Sequence, residues 1–217
     1  MLVERALLYA NRVVAGDEIT TWEVKRQCEI FLHDYHNEDE TYYFDQKEVE
    51  LVETLLSFMN FATGINCIGT SILDGLHGFQ CFFIVNIFGF RYKDKPKKFK
   101  HQDITLFIPR KNAKTFILSV TLLILMLTEN EYSEFYSICI DRDLAGEVKK
   151  CMMQIIDASP IITKRFKKSV TLSGKITCLL TNSFYQARTS ESGRNNAIRP
   201  SAFIADEIGN FRDYDNI

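Results

Sequence analysis

The chain has 217 residues, 46% hydrophobic and 25% charged, which is ordinary for a globular protein and excludes a disordered polymer. That length suits one domain, or one domain with a helical preface, and is enough to bury a sizeable core. The formal net charge of -2 excludes a global basic field, so any nucleic-acid contact has to come from a local patch.

The six cysteines, Cys28, Cys67, Cys81, Cys139, Cys151 and Cys178, are scattered and form no CxxC pair. That usage argues against a disulfide scaffold and fits a reducing cytosol. Cys28, His33 and His36 read as helix-face residues rather than as half of a metal site. Glu4 and Arg5 interrupt any signal-peptide pattern. The most apolar stretch, Phe116 to Leu127, is shorter than the roughly 20 residues of a membrane span and contains Ser119 and Thr121. It reads as a buried helix or strand, and no membrane role is expected.

The first half reads as helical. Thr20 and Glu23 have capping-box spacing ahead of a helical pattern from Trp22 to Leu32. Asp45 and Glu48 repeat it, and Val49, Val52, Leu56 and Met59 follow at helical intervals, predicting one apolar face over about residues 46 to 60. The connector His36-Asn37-Glu38-Asp39-Glu40 reads as a solvated loop, because nothing apolar frames its carboxylates. Gly64, Gly69, Gly75 and Gly78 predict a loop, and an apolar helix from about Phe79 to Phe90 follows. Lys93, Lys95, Lys97, Lys98 and Lys100, broken by Pro96, read as a solvated loop, with phosphate contact as the alternative.

From residue 104 the character changes. Ile104 to Ile108 predicts a short buried strand. A helix is predicted from Lys114 to about Leu127, a strand from Phe135 to Ile140, and a helix from Arg142 to Ile156. Leu144, Val148, Cys151, Met152 and Ile155 lie on one face of that last helix. Lys164, Arg165, Lys167 and Lys168 surround Phe166 and read as a solvated helix face or a contact to DNA phosphates. Lys175 to Leu180 and Ser183 to Ala187 predict a hairpin turning at Thr181-Asn182, and Ala202 to Ala205 a final strand. This alternation predicts an α/β fold with a mostly parallel sheet and a hairpin insertion.

One junction concentrates the chemistry: Ile108-Pro109-Arg110-Lys111-Asn112-Ala113-Lys114-Thr115, where a predicted strand meets a predicted helix. Backbone N–H groups at a helix N-terminus, aided by the helix dipole, suit an anion. A lysine there adds a point charge for β- and γ-phosphates, and a following hydroxyl can ligate Mg²⁺. The pattern GxxxxGK(S/T) is met only in part, since Ile108 and Ala113 replace its glycines. About 90 residues later, Phe203-Ile204-Ala205-Asp206-Glu207 is an apolar run ending in two carboxylates. At a strand end, an aspartate can hold Mg²⁺ through its water shell, and a neighbouring glutamate can activate water for attack on a γ-phosphate. Together the two elements point to nucleotide hydrolysis.

These motifs resemble the large subunit of tailed-phage terminases. Pro109 to Thr115 is similar to that family's phosphate loop, PRKNGKS or PRKNGKT, with Ala113 in the glycine's place. Phe203 to Glu207 resembles its Walker B motif. Upstream, Val13-Val14-Ala15-Gly16, Cys28-Glu29 and Leu32-His33-Asp34 are similar to its N-terminal helices. Phe79-Gln80 with Ile87-Phe88-Gly89-Phe90 is similar to its WQ…FGW segment, with phenylalanine for both tryptophans.

The resemblance implies a P-loop NTPase core over residues 76–217, preceded by a helical region over residues 1–75. Lys114 would contact the β- and γ-phosphates, with Arg110, Lys111, Asn112 and Ala113 completing the ATP-binding loop. Thr115 and Asp206 would hold Mg²⁺, Glu207 would activate water, Arg110 would offset transition-state charge, and Gln80 would read the adenine edge. The implied activity is ATP hydrolysis driving packaging of double-stranded viral DNA in the cytoplasm of a bacterial host. The implied partners are a terminase small subunit, the portal of a procapsid and further copies in a ring. Leu144-Ala145 departs from a Gln-Ala pair frequent in the family, and Asp213 and Asp215 come too early for its nuclease. The chain is therefore expected to stop short of a DNA-cutting site. A non-catalytic nucleotide-binding remnant, or another P-loop translocase acting on nucleic acid, are the alternatives.

Overall fold

A computed structural model describes residues 1–37, 39–139, 142–171, 173–189 and 199–206, apart from the side chains of 142–145 and 189. They form two compact units: Met1–Ser57 with Thr70–Phe107, and Phe58–Gly69 with the described residues from Ile108 onward.

The first unit is mainly helical. α1 (Leu2–Ala15) is followed by α2 (Trp22–His36), whose N-cap is Thr21 rather than Thr20. The Thr21 hydroxyl accepts from the Val24 N–H at 3.5 Å, because the extended residue directly before the first turn takes the cap. Next come β1 (Tyr42–Phe44) and α3 (Gln46–Phe58). Asp45 caps α3 as expected, its carboxylate accepting from the Glu48 N–H at 3.1 Å. Val49, Val52, Leu56 and Met59 are all buried. Each such aliphatic side chain contributes about 1.5–3 kcal/mol of hydrophobic stabilisation.

α4 (Ile72–Gly75) and α5 (Gly78–Gly89) lead into β2 (Phe90–Tyr92). β2 pairs antiparallel with β1, a two-stranded ribbon absent from the sequence expectation. A Cβ on Gly89 would meet the Phe44 ring at 2.5 Å, so this crossing requires glycine. Phe31 packs against Phe82 and Phe90 with ring centroids 5.3 and 6.0 Å apart. The strand expected over Ile104 to Ile108 does not form: Ile104 is 45% and Phe107 95% exposed. An apolar run becomes a strand only where another edge supplies hydrogen bonds, and no described strand pairs with it.

The second unit begins its regular structure with α6 (Lys114–Thr128), β3 (Glu134–Cys139), α7 (Arg142–Ala158) and α8 (Pro160–Thr163). β4 (Phe166–Lys168), β5 (Ile176–Cys178), β6 (Phe184–Thr189) and β7 (Ala202–Ala205) complete it. The strand order is β4-β5-β6-β3-β7. β3 runs parallel to both β6 and β7, whereas β4–β5 and β5–β6 are antiparallel. The sheet is therefore mixed, which corrects the mostly parallel expectation. The expected hairpin, β5–β6, lies within the sheet, with β6 paired to β3, and the basic cluster supplies the edge strand β4 instead of a helix face.

α6 and α7 pack together through the Ser119 hydroxyl, which donates to Thr115 O at 2.7 Å and lies 3.2 Å from Val148 O. Val148, Met152 and Ile155 are buried as the helical pattern predicts. Residues 58–69 are tied to this unit by the Asn60 N–H, which donates to the Ser159 hydroxyl at 2.8 Å. Phe61 also stacks on Phe116 at 5.1 Å. Ile140, Glu207, Asp213 and Asp215 lie outside the described residues, as does Glu38 of the connector.

Candidate nucleotide-binding site

The loop at 108–113 turns sharply into α6. Lys111 has φ 68° and Ala113, the N-cap of α6, has φ 59° and ψ 33°. Both lie in the left-handed region, where a side chain with a Cβ costs roughly 1–2 kcal/mol. The second glycine of the phosphate-loop pattern would take this conformation without that cost, so Ala113 occupies the glycine's backbone state. Asn112 stiffens the turn by donating its amide to Pro109 O at 3.1 Å and to Arg110 O at 3.3 Å. Arg110, Lys111, Asn112 and Ala113 are all exposed.

α6 runs for 15 residues from this turn. Its first intrahelical bond is from the Ile117 N–H to Ala113 O at 3.0 Å, so the preceding N–H groups have no partner within the helix. The opening of α6 is thus an electropositive end beside Lys114 and Thr115. Both side chains are half-buried, held there because Ile117, Ser119 and Val120 bury the same helix against its unit.

β7 delivers Asp206 to the same place. Parallel pairing sets Ser137 beside Ile204 and Ile138 beside Ala205, and the Asp206 N–H donates to Ile138 O at 3.1 Å. This last ladder bond holds Asp206 at the C-terminal end of the strand. Its Oδ1 lies 2.8 Å from Lys114 Nζ, with the carboxylate 14% and the ammonium 31% exposed. Two residues about 90 positions apart in sequence therefore meet at the carboxyl edge of the sheet, where open α/β sheets bind ligands.

The oxygen donors present, a threonine hydroxyl and a carboxylate, are hard ligands of the kind Mg²⁺ takes while keeping several waters. An ammonium alongside them suits a phosphate that shares the ion. The donor set at Thr115, Lys114 and Asp206 thus fits a Mg²⁺-nucleotide.

The structure does not treat every expected site residue alike. Lys114 and Asp206 come together, Thr115 and the loop Arg110–Ala113 flank Lys114 in the chain, and Glu207 lies outside the described residues. Gln80 belongs to the other unit, is buried, and caps α5: its Oε1 accepts from the His77 N–H at 2.8 Å. Sequence reading missed the buried pair Ser137 and Tyr185, whose hydroxyls are 2.6 Å apart on neighbouring strands. Burial pushes the Tyr185 phenol well above its usual range, with the Ser137 hydrogen bond opposing that shift. β3 is buried from Phe135 to Cys139 and Tyr185 is buried on β6, but only the parallel register of the two strands brings the hydroxyls together. No helix among the described residues is long and apolar enough to cross a membrane.

The comparisons follow the same lines. No curated protein matches the chain. The solved structure of the HK97 bacteriophage large terminase has a similar fold, with a TM-score of 0.60 and 22% sequence identity. The match covers 75% of this chain and 32% of that one, so the chain spans about a third of that protein's length. The family model for the terminase large subunit, ATPase domain, matches residues 78–217, from the start of α5 through the 108–113 loop and Asp206. The chain belongs to the family of terminase large subunit ATPase domains.

Proposed function

We propose that the chain is an ATP-hydrolysing motor domain that drives packaging of double-stranded viral DNA. The observation that carries this reading is the 2.8 Å approach of Lys114 and Asp206, which joins the phosphate-loop helix to the acidic strand. In the bound state Lys114 exchanges Asp206 for the β- and γ-phosphates. Thr115 and the Asp206 carboxylate would hold Mg²⁺, which would neutralise phosphate charge. The exposed Arg110 folds over the γ-phosphate and offsets charge as the transferring group leaves, a task suited to a planar guanidinium. Glu207 orients and deprotonates the attacking water. A terminase small subunit, a procapsid portal and further copies in a ring complete the working motor in a bacterial host's cytoplasm.

A second reading, a nucleotide-binding remnant without turnover, is favoured by one feature, the left-handed alanine at position 113. Titration with a labelled ATP analogue and Mg²⁺, alongside a phosphate-release assay, separates the two. Binding with turnover is expected for the wild type, loss of both for Lys114→Ala, and binding without turnover for Glu207→Gln. Binding without wild-type turnover supports the remnant, and undiminished turnover in either variant overturns the mechanism.

A further inference from the structure

The stretch from residue 158 to residue 190 contains no aspartate or glutamate but six cations, Lys164, Arg165, Lys167, Lys168, Lys175 and Arg188, in a chain whose net charge is -2. The fold sorts these cations by face. Phe166, Ile176, Cys178 and Tyr185 are buried on the side of the sheet that α7 covers, and Lys168 on that side pairs with Asp157 of α7. Lys167 alternates with them and points the other way, and Arg165 sits in the turn directly before β4, its carbonyl accepting from the Leu179 N–H at 2.7 Å. Lys167 stands opposite Thr177, one diagonal step from Lys175. Lys175 spreads over the Phe184 ring at 3.3 Å, and on the same outer face the Arg188 guanidinium lies over the Tyr136 ring at 4.9 Å.

Arg165, Lys167 and Lys175 are exposed and form no ion pair with any described residue. Their supporting loop is held in shape by Lys149, a buried ammonium on α7 that donates to Thr171 O and, at 2.7 Å, to Gly174 O.

We propose that the outer face of the β4–β5 hairpin, through Arg165, Lys167 and Lys175, binds the phosphodiester backbone of duplex DNA. The proposal rests on the packaging reading for its partner. Contacts of this kind position the duplex without reading its sequence, as a motor moving along any genome requires. The competing account is that lysines on the exposed edge strand β4 merely prevent edge-to-edge association.

The test uses the full chain, a fluorescent duplex and a salt titration of binding. The triple variant Arg165→Ala/Lys167→Ala/Lys175→Ala is compared with a charge-matched control, Lys25→Ala/Lys47→Ala/Lys150→Ala, altered at exposed sites elsewhere. Arg188 is left intact because it packs on Tyr136. The expected result is a slope of log affinity against log salt flattened by about 2 to 3 in the triple variant, with weaker binding at every duplex sequence. The control should keep the wild-type slope, and both variants should keep DNA-independent ATP hydrolysis and wild-type melting. An unchanged slope in the triple variant, an equal loss in the control, or loss confined to a self-associating or unfolded triple variant overturns the hairpin assignment. A wild-type chain that hydrolyses ATP but binds no duplex at low salt overturns the packaging reading itself, and the hairpin assignment falls with it.

Discussion

Lys114, the first residue of α6, and Asp206, the residue after β7, form an ion pair at 2.8 Å that closes the candidate site without any ligand. The pair holds the Lys114 ammonium in place and balances the charge of the Asp206 carboxylate; on the proposed reading these are the groups that would meet phosphates and Mg²⁺. On that reading, binding a Mg²⁺-nucleotide would exchange one ionic contact for two.

Asp206→Asn tests that exchange. The amide keeps the shape but loses the charge that orients the metal's water shell. The Mg²⁺ concentration for half-maximal ATP hydrolysis should rise about 10- to 100-fold. A wild-type Mg²⁺ dependence in this variant removes Asp206 from the metal site.

Ala113→Gly should stabilise the chain. Relief of left-handed strain gains roughly 1–2 kcal/mol, while the greater freedom of glycine in the unfolded chain costs about 0.4–1 kcal/mol. Ala113 is exposed, so little packing is lost, and the net gain is of order 0.5–1 kcal/mol. Chemical denaturation measures it, and nucleotide affinity should not fall. Lower stability in the glycine variant contradicts the strained-turn assignment.

Tyr185→Phe should destabilise by about 1–2 kcal/mol, because it strands the buried Ser137 hydroxyl that now meets the phenol at 2.6 Å. The double variant Tyr185→Phe/Ser137→Ala should lose less than the two single losses added together. Additive losses in that cycle indicate that the two hydroxyls do not interact.

Stability should depend on pH through His101. Burial, reinforced by the Lys100 ammonium and opposed by Asp34, holds its imidazole below the ordinary value. The unfolded chain then takes up the proton at higher pH than the folded chain. The His101 contribution is complete above about pH 6.5 and is lost as pH falls through the folded pKa. Melting temperature should therefore drop between pH 7 and pH 5 by more in the wild type than in His101→Gln. Equal drops place the titration elsewhere.

Helices α2, α3, α5, α6 and α7 were legible because each carries a local signal, a cap such as Asp45 or a run of apolar residues at helical spacing. The final strand and the hairpin were legible from short apolar runs bounded by turn residues, and Asn182 does turn with φ 53°. β1, β2 and β4 were not: each has only three residues, too few to show a period, and none is marked by a turn such as the Thr181-Asn182 that set off the equally short β5. Ile104 to Ile108 shows the opposite failure, a strand-like composition to which no described strand is hydrogen-bonded.

What the sequence determined alone was the chemistry on offer: a phosphate-loop turn ending in Lys114-Thr115, a strand ending in Asp206, and a family signature in their order. Residue types, local turns and helix starts are set by neighbours a few positions away, so they can be read directly. The tertiary structure decided that Lys114 and Asp206 touch, that Ala113 must adopt a left-handed backbone, and that the sheet is mixed. It also decided that Lys167 and Lys175 share one face. Those outcomes depend on strand partners and register, which join residues tens of positions apart, and no local pattern in the chain encodes which edges will meet.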